Sequence, residues 1–149
     1  MHSRVFALSQ KKGKANTFDL PEYFVPTYAD YYIEAEDRSN SIEWLTGHLD
    51  CYGIEYVKTG NTITFRKVDG YLNAMYEQFR KALNDLEAVT PEQFNKGLFS
   101  LYALKSATDD ESGFWFLTED EYPVTMQSFM RSVELNVPYY LGKVYDYHF

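Results

Sequence analysis

His48 and Cys51 stand three residues apart, a spacing that places two side chains on the same side of a helix. Such a pair could bind a metal ion or act as a base and a nucleophile. A metal site needs further ligands, and the only other histidines, His2 and His148, lie near the two ends of the chain. A lone cysteine is also among the most frequently buried residue types. We therefore interpret the pair as packing and predict neither a catalytic site nor a metal site.

Carboxylates cluster at two places in the second half of the chain, Asp109-Asp110-Glu111 and Glu119-Asp120-Glu121. Either cluster could bind a hard divalent cation, because such ions prefer oxygen ligands. The first cluster lacks the alternating spacing of a calcium-binding loop. The second precedes a predicted helix, where carboxylates favour the positive end of the helix dipole. We predict polar turns at both places, and no cofactor.

Sequence motifs of known enzymes are missing. The chain contains no phosphate-binding glycine loop, no Gly-x-Ser-x-Gly, no His-Glu-x-x-His and no Cys-x-x-Cys. An active site assembled from distant residues leaves no such local signature. An enzyme is therefore disfavoured but stays open as an alternative.

Charge is distributed in blocks, and its net value is −8. Residues 19–57 carry nine acidic side chains and one basic, and residues 106–149 carry eight acidic and two basic. The segment between them is nearly neutral. Such a surface repels nucleic-acid phosphates and attracts basic partners at long range. We expect a basic protein surface as the partner and no direct binding of nucleic acid.

Tyrosine is unusually frequent, at fourteen residues, and forms the doublets Tyr31-Tyr32 and Tyr139-Tyr140. Both doublets lie on predicted strands, where successive side chains point to opposite faces, so one member of each should be exposed. Tyrosine is enriched in protein interfaces because it buries area while keeping a polar tip. A solvated sheet face explains the tyrosines equally well.

Hydrophobic periodicity predicts one α+β domain over residues 1–149. Strands are expected at residues 3–9, 29–35, 54–58, 62–67, 114–117 and 139–148. Helices are expected at residues 40–53, 70–88, 90–102 and 123–135. Strands and helices do not alternate regularly. We therefore predict an antiparallel or mixed sheet of about five to six strands, with about four helices packed mainly on one face.

Helix capping signals add detail to this prediction. Asn40, followed by Glu43, is expected to cap one helix, and Thr90, followed by Pro91 and Gln93, another. The apolar residues predicted to face inward from the second of these helices are Phe94, Leu98, Leu101 and Tyr102.

Three features of the sequence bear on the cellular compartment of the protein. No apolar run approaches the length of about 18 residues that a membrane span needs. The short N-terminal apolar run is followed by lysines and is untypical of a signal peptide. A single cysteine excludes an internal disulfide. We expect a cytoplasmic protein without membrane contact, in a bacterial cell or a phage-infected host.

The leading hypothesis is an acidic protein that inhibits a nucleic-acid-processing enzyme by imitating phosphates. In general type, being small, acidic and aromatic with no enzyme motif, the chain resembles the inhibitors that phages and mobile elements use against restriction or CRISPR systems. A nuclease or nucleoprotein effector would then be the partner. The residues expected to bind it are Asp30, Tyr31, Tyr32, Glu34, Glu36, Asp37, Asp109, Asp110, Glu111, Glu119, Asp120, Glu121, Tyr139 and Tyr140.

Two other function classes stay open. One is a small enzyme or a small-ligand-binding protein whose site combines carboxylates and aromatic walls, for example Glu34, Asp37 and Tyr56. The other is a structural or adaptor protein that forms a homodimer by pairing an exposed sheet edge, residues 139–148, across a two-fold axis.

Overall fold

The computed structural model describes residues 1–120 and 122–149. Its strands are β1 (His2–Ser9), β2 (Tyr31–Glu34), β3 (Glu55–Thr59), β4 (Thr62–Lys67), β5 (Trp115–Leu117), β6 (Pro123–Thr125) and β7 (Pro138–His148). Its helices are α1 (Phe24–Tyr28), α2 (Arg38–Cys51), α3 (Asp69–Glu87), α4 (Pro91–Asn95), α5 (Tyr102–Thr108) and α6 (Met126–Ser132), with a 3-10 turn at Lys14–Thr17.

The seven strands form one mixed sheet in the order β3-β4-β7-β1-β5-β6, and β2 pairs with the second half of β7. β1 and β5 run parallel, and the other pairs are antiparallel. The predicted α+β class is confirmed, and of the two expected sheet types, antiparallel or mixed, the sheet is mixed. The described part has seven strands and six α-helices, slightly more of each than expected.

The centre of the sheet is buried on both faces, and side chains of β1 alternate between two hydrophobic clusters. Phe6 and Leu8 point toward the larger cluster, which also contains the apolar faces of α2, α3 and α6. Val5 and Ala7 point to the opposite face, which α1 and the 3-10 turn cover. The helices that contribute to the two clusters thus pack mainly on one face, as predicted, with α2, α3 and α6 on that face and α1 on the other. In the described residues, no helix is long and apolar enough to cross a membrane.

The closing strand β7 lies in the middle of the sheet, and its predicted position at an edge was wrong. β1 pairs along one side of it, while β4 and β2 share the other side. Its side chains are buried on both faces, with Val144 in the larger cluster and Tyr147 in the smaller one. Because both edges of β7 are already paired with other strands, β7 cannot pair with a second copy of the chain.

The predicted helix at residues 123–135 was wrong at its start. Pro123–Thr125 forms β6, which pairs antiparallel with β5. Proline is tolerated there because β6 is the outer strand in the sheet order and needs no ladder hydrogen bond from Pro123. The helix α6 begins only at Met126, where the side chain of Thr125 caps it by accepting a hydrogen bond from the backbone of Ser128.

Asp37, and not the predicted Asn40, caps α2. Its side chain accepts a hydrogen bond of 2.9 Å from the backbone nitrogen of Asn40. The capping box of α4 is as predicted: Thr90 and Gln93 each bond the other's backbone.

The predicted inward face of residues 90–102 was wrong. α4 ends at Asn95, and the apolar side chains beyond its start stay in solvent. Their exposed fractions are 63% for Phe94, 63% for Leu98, 41% for Phe99, 59% for Leu101 and 70% for Tyr102. We call these five residues the α4–α5 patch.

Candidate functional site

The first acidic segment occupies an exposed outer strand. β2 pairs with β7 from Tyr31 opposite His148 to Glu34 opposite Tyr145. Tyr32 anchors the strand, because its ring packs edge-on against Tyr145 with centroids 5.6 Å apart. Tyr31 faces the other way, is 48% exposed and stacks on His148 at 5.3 Å. One tyrosine of this doublet is therefore exposed, as predicted.

The carboxylates of this segment differ in what they contact. Asp30 accepts a hydrogen bond of 2.9 Å from Nδ1 of His148. Asp37 caps α2. Glu34 and Glu36 are exposed, and neither has a hydrogen-bond or ion-pair partner within the described residues. We call the exposed set Asp30, Tyr31, Ile33, Glu34 and Glu36 the β2 ridge.

The carboxylates of the cluster Asp109-Asp110-Glu111 form hydrogen bonds and an ion pair with nearby residues. The hydroxyl of Thr125 donates to Asp109. Asp110 accepts from the backbone nitrogen of Ser112 at 3.1 Å and from its hydroxyl at 2.6 Å. Glu111 forms an ion pair of 2.8 Å with Lys105, whose pKa is raised chiefly by that hydrogen bond. These carboxylates hold the α5–β5 turn, as predicted for a polar turn.

The second acidic block is divided between the two ends of the sheet. β5 runs parallel to β1, so the residues before it lie near Ser3, whose hydroxyl donates to the carbonyl of Gly113 at 2.9 Å. The residues after it lie near Ser9, whose hydroxyl donates to Glu119. Asp120 is exposed at this second end. Glu121 lies outside the described residues.

The remaining predicted tyrosines are inside the sheet. Tyr139 is 6% exposed and packs against Phe65 and Phe129 in the larger cluster. Tyr140 is half-buried and pairs with Thr62 on one side and Ser9 on the other. Tyr139 therefore presents no surface to a partner.

The residues of the predicted ligand site do not converge. Glu34 lies on β2, whereas Asp37 is at the start of α2. The hydroxyl of Tyr56 donates to the carbonyl of Thr46 at 3.3 Å. Thr46 is nine residues beyond Asp37, about 13 Å along a helix.

A cleft of about 360 Å³ lies instead where α2 faces α3 and the α5–β5 turn. Trp44, His48 and Phe114 form one wall, with ring centroids 5.1 Å apart for Trp44 and Phe114 and 4.7 Å for His48 and Phe114. Tyr52 and Tyr71, 5.3 Å apart, line the same cleft. Burial is the main cause that raises the pKa of Tyr71.

The cleft also contains polar groups. Asp110, Ser112 and Gln127 line it together with His2 and Ser3 at the end of the sheet. His48 donates through Nδ1 to the carbonyl of Trp44 at 3.0 Å, because a carbonyl can only accept. Cys51 is exposed and does not line the cleft. The structure therefore does not bring His48 and Cys51 together as a catalytic pair.

Sequence reasoning missed this cleft, although one signal for it is present. Trp44, His48 and Tyr52 follow each other at intervals of four residues, which places three rings on one side of α2. Among the described residues, no group of three or more histidine, cysteine, aspartate or glutamate side chains is arranged to hold a metal ion.

Comparison of the chain with protein-family models, curated proteins and solved structures finds no match.

Proposed function

We propose that this protein binds the basic surface of a nucleic-acid-processing enzyme through the β2 ridge and blocks access of nucleic acid to it. The site of action would be the cytoplasm of a bacterial cell or a phage-infected host. The observation that carries the proposal is that Glu34, the last residue of β2, and Glu36, two residues beyond it, are exposed and have no partners in the described residues. Carboxylates that are not engaged internally are available to a basic partner.

The composition of the ridge supports this role. Tyr31 and Ile33 share one face of β2 and are 48% and 52% exposed. Glu34 lies on the opposite face, and Asp30 and Glu36 flank the strand. An apolar contact surrounded by charged groups is typical of protein interfaces, where buried aromatic residues contribute most of the affinity and charges accelerate association. The net charge of −8 would attract a basic enzyme at long range.

The second acidic block contributes less than the sequence indicated. Asp109, Asp110 and Glu111 are engaged in local hydrogen bonds. Glu119 and Asp120 lie at the opposite end of β5 from that cluster. Imitation of a long run of phosphates is therefore not required, and the proposal is confined to the ridge.

The test is inhibition of purified restriction endonucleases and RNA-guided nucleases, assayed by DNA cleavage. The wild-type protein should inhibit at least one of them, less strongly as salt rises. Glu34→Gln combined with Glu36→Gln should weaken inhibition by about tenfold or more, since interface charge pairs contribute energies of that order. Glu77→Gln combined with Glu87→Gln changes the net charge equally on α3 and should leave inhibition unchanged. An equal loss of inhibition in the two double variants would overturn the role of the ridge.

A homodimer is a second candidate assembly, and the α4–α5 patch favours it. With about 150–250 Å² for each fully exposed aromatic ring, the patch exposes on the order of 500 Å² of apolar surface. Two copies facing each other would bury about 1,000 Å² in total, which is the lower limit for a biological interface. The nearest charges are already paired, Lys96 with Glu92 at 2.5 Å and Lys81 with Asp85 at 2.7 Å. A second acidic copy could therefore approach this face without strong repulsion.

Solution mass measured over a range of concentrations tests the homodimer. The wild type should approach twice the mass of 17.5 kDa. Leu98→Asp combined with Leu101→Asp should be monomeric, and Ile33→Asp on the β2 ridge should still dimerise. A wild type that stays monomeric at every concentration would exclude this assembly.

A further inference from the structure

The cleft beside α2 has a polar chemistry that identifies its class of ligand. Three of its polar side chains donate to other groups of the protein. Ser112 donates its hydroxyl to Asp110 at 2.6 Å, and Ser3 donates to the carbonyl of Gly113 at 2.9 Å. Gln127 donates its amide to the carbonyl of Ser106 at 3.2 Å, and its oxygen accepts from the backbone of Asp110.

Acceptors in the cleft remain available. His48 carries its proton on Nδ1, since that nitrogen bonds the carbonyl of Trp44, so Nε2 of the neutral ring is an acceptor. His2 likewise directs Nδ1 to the carboxylate of Asp146 at 3.1 Å. Asp110 binds Ser112 through Oδ1 alone, and Oδ2 has no hydrogen-bond partner within the described residues. The tyrosine hydroxyls and the indole N–H of Trp44 are the remaining side-chain donors. The N-terminal ammonium of Met1 also lines the cleft, and it donates to the carbonyl of Phe149 at 2.7 Å and lies 3.2 Å from Nε2 of His148.

Aromatic side chains form the walls of the cleft, beside these acceptors. Trp44, Phe114, Tyr52 and Tyr71 line the cleft. Aromatic faces attract cations, because the quadrupole of the ring is negative at its face. The chain already uses Trp44 in this way, since the guanidinium of Arg4 lies 5.2 Å from its ring centroid. Arg4 is paired with Asp146 at 2.8 Å, so its charge is offset.

We propose that this cleft binds an organic cation, an alkylammonium or methylated ammonium group, with Asp110 opposite its charge and Trp44 against its methyl groups. An anionic ligand would be repelled by the carboxylate of Asp110. The volume of about 360 Å³ admits a small molecule of this class. The site is separate from the β2 ridge and does not depend on the proposed inhibition.

The test is a fluorescence titration with choline and with 3,3-dimethylbutan-1-ol, its uncharged counterpart of similar shape. Trp44 is 40% exposed and should report occupancy, whereas Trp115 is 3% exposed and gives the background. Choline should produce a saturable change, with an affinity about tenfold or more above that of the neutral alcohol. Equal affinities, or no saturable signal with choline, would overturn the proposal.

Variants separate the two contributions. Asp110→Asn keeps the oxygen that accepts from Ser112 but removes the charge, and should weaken choline binding without changing that of the alcohol. Trp44→Leu should weaken choline binding as well, and calorimetry provides the readout because this variant lacks the reporter. Glu36→Gln removes one charge from the ridge and should leave choline binding unchanged. A loss in Glu36→Gln equal to that in Asp110→Asn would show attraction by net charge alone and would reject the site.

Discussion

The backbone of Ala15 lies directly against Gly142, in the middle of the long strand β7. A methyl group built on Gly142 would be 2.2 Å from the carbonyl carbon of Ala15 and 2.2 Å from its oxygen. The added methyl group would overlap main-chain atoms of Ala15, so no side-chain rotation can relieve the clash. Glycine at position 142 therefore allows the 3-10 turn to close over the smaller hydrophobic cluster.

We expect Gly142→Ala to lower the free energy of unfolding by about 1–3 kcal/mol or more, the usual effect of overpacking. Chemical denaturation measures it. Gly47→Ala is the matched control, because position 47 is in α2 with nothing within 4 Å of an added methyl. That change should stabilise the protein by about 0.5–1 kcal/mol. A neutral effect of Gly142→Ala would mean that the turn moves away freely.

Asp37 should contribute to stability as the cap of α2. Asp37→Ala removes the acceptor for the backbone nitrogen of Asn40 and should cost about 1 kcal/mol in the free energy of unfolding. Asn40→Ala keeps that backbone nitrogen and should have little effect. The two variants are compared by thermal and chemical unfolding. If Asn40→Ala lowered the free energy of unfolding more than Asp37→Ala does, Asn40 would be the cap, as expected from the sequence.

Arg38 joins the first turn of α2 to the centre of the sheet. Its guanidinium donates to the carbonyls of Gly142 at 2.8 Å and Leu141 at 2.7 Å, and to the side chain of Asn61 at 2.6 Å. Burial lowers the pKa of Arg38, yet the group stays charged at neutral pH. Arg38→Lys keeps the charge but loses the planar set of donors, so we expect a loss of about 1–3 kcal/mol. Stability equal to that of the wild type would show that charge alone suffices.

Stability should fall in alkaline solution because of two buried tyrosines. Burial, assisted by a hydrogen bond to Asp19, raises the pKa of Tyr145 to about 12, and burial raises that of Tyr147 to about 12. In the unfolded chain a tyrosine ionises near pH 10, as model peptides do. The folded state thus binds the phenolic protons more tightly than the unfolded state does. The resulting stabilisation is complete below about pH 10 and is lost as pH rises to about 12.

Denaturant titrations across this pH range test the effect. Tyr145→Phe lowers stability at neutral pH, because it loses the hydrogen bond of 2.8 Å to the carbonyl of Phe18. Its stability should nevertheless decline less steeply above pH 10 than that of the wild type. An identical alkaline decline in the two proteins would assign the effect to other groups.

Features built from neighbouring residues could be predicted from the sequence. The capping box of Thr90 and Gln93, the apolar face of α3 and the hairpin of β3 and β4 depend on contacts within a few positions. The order of the predicted elements likewise predicted the α+β class, with a sheet that is antiparallel or mixed. These local interactions are largely independent of the rest of the chain.

Only the tertiary structure decided the place of β7, the division of the second acidic block and the position of the aromatic cleft. β7 is central because β1, β2 and β4, which are distant in sequence, pair along it. The parallel register of β1 and β5 places Glu119 and Asp110 at opposite ends of the sheet. Residues 94–102 stay in solvent because α4 is too short to carry them onto the core. Sequence alone determined the charge and the local elements, whereas long-range pairing determined which side chains meet, because strand register depends on residues far apart in the chain.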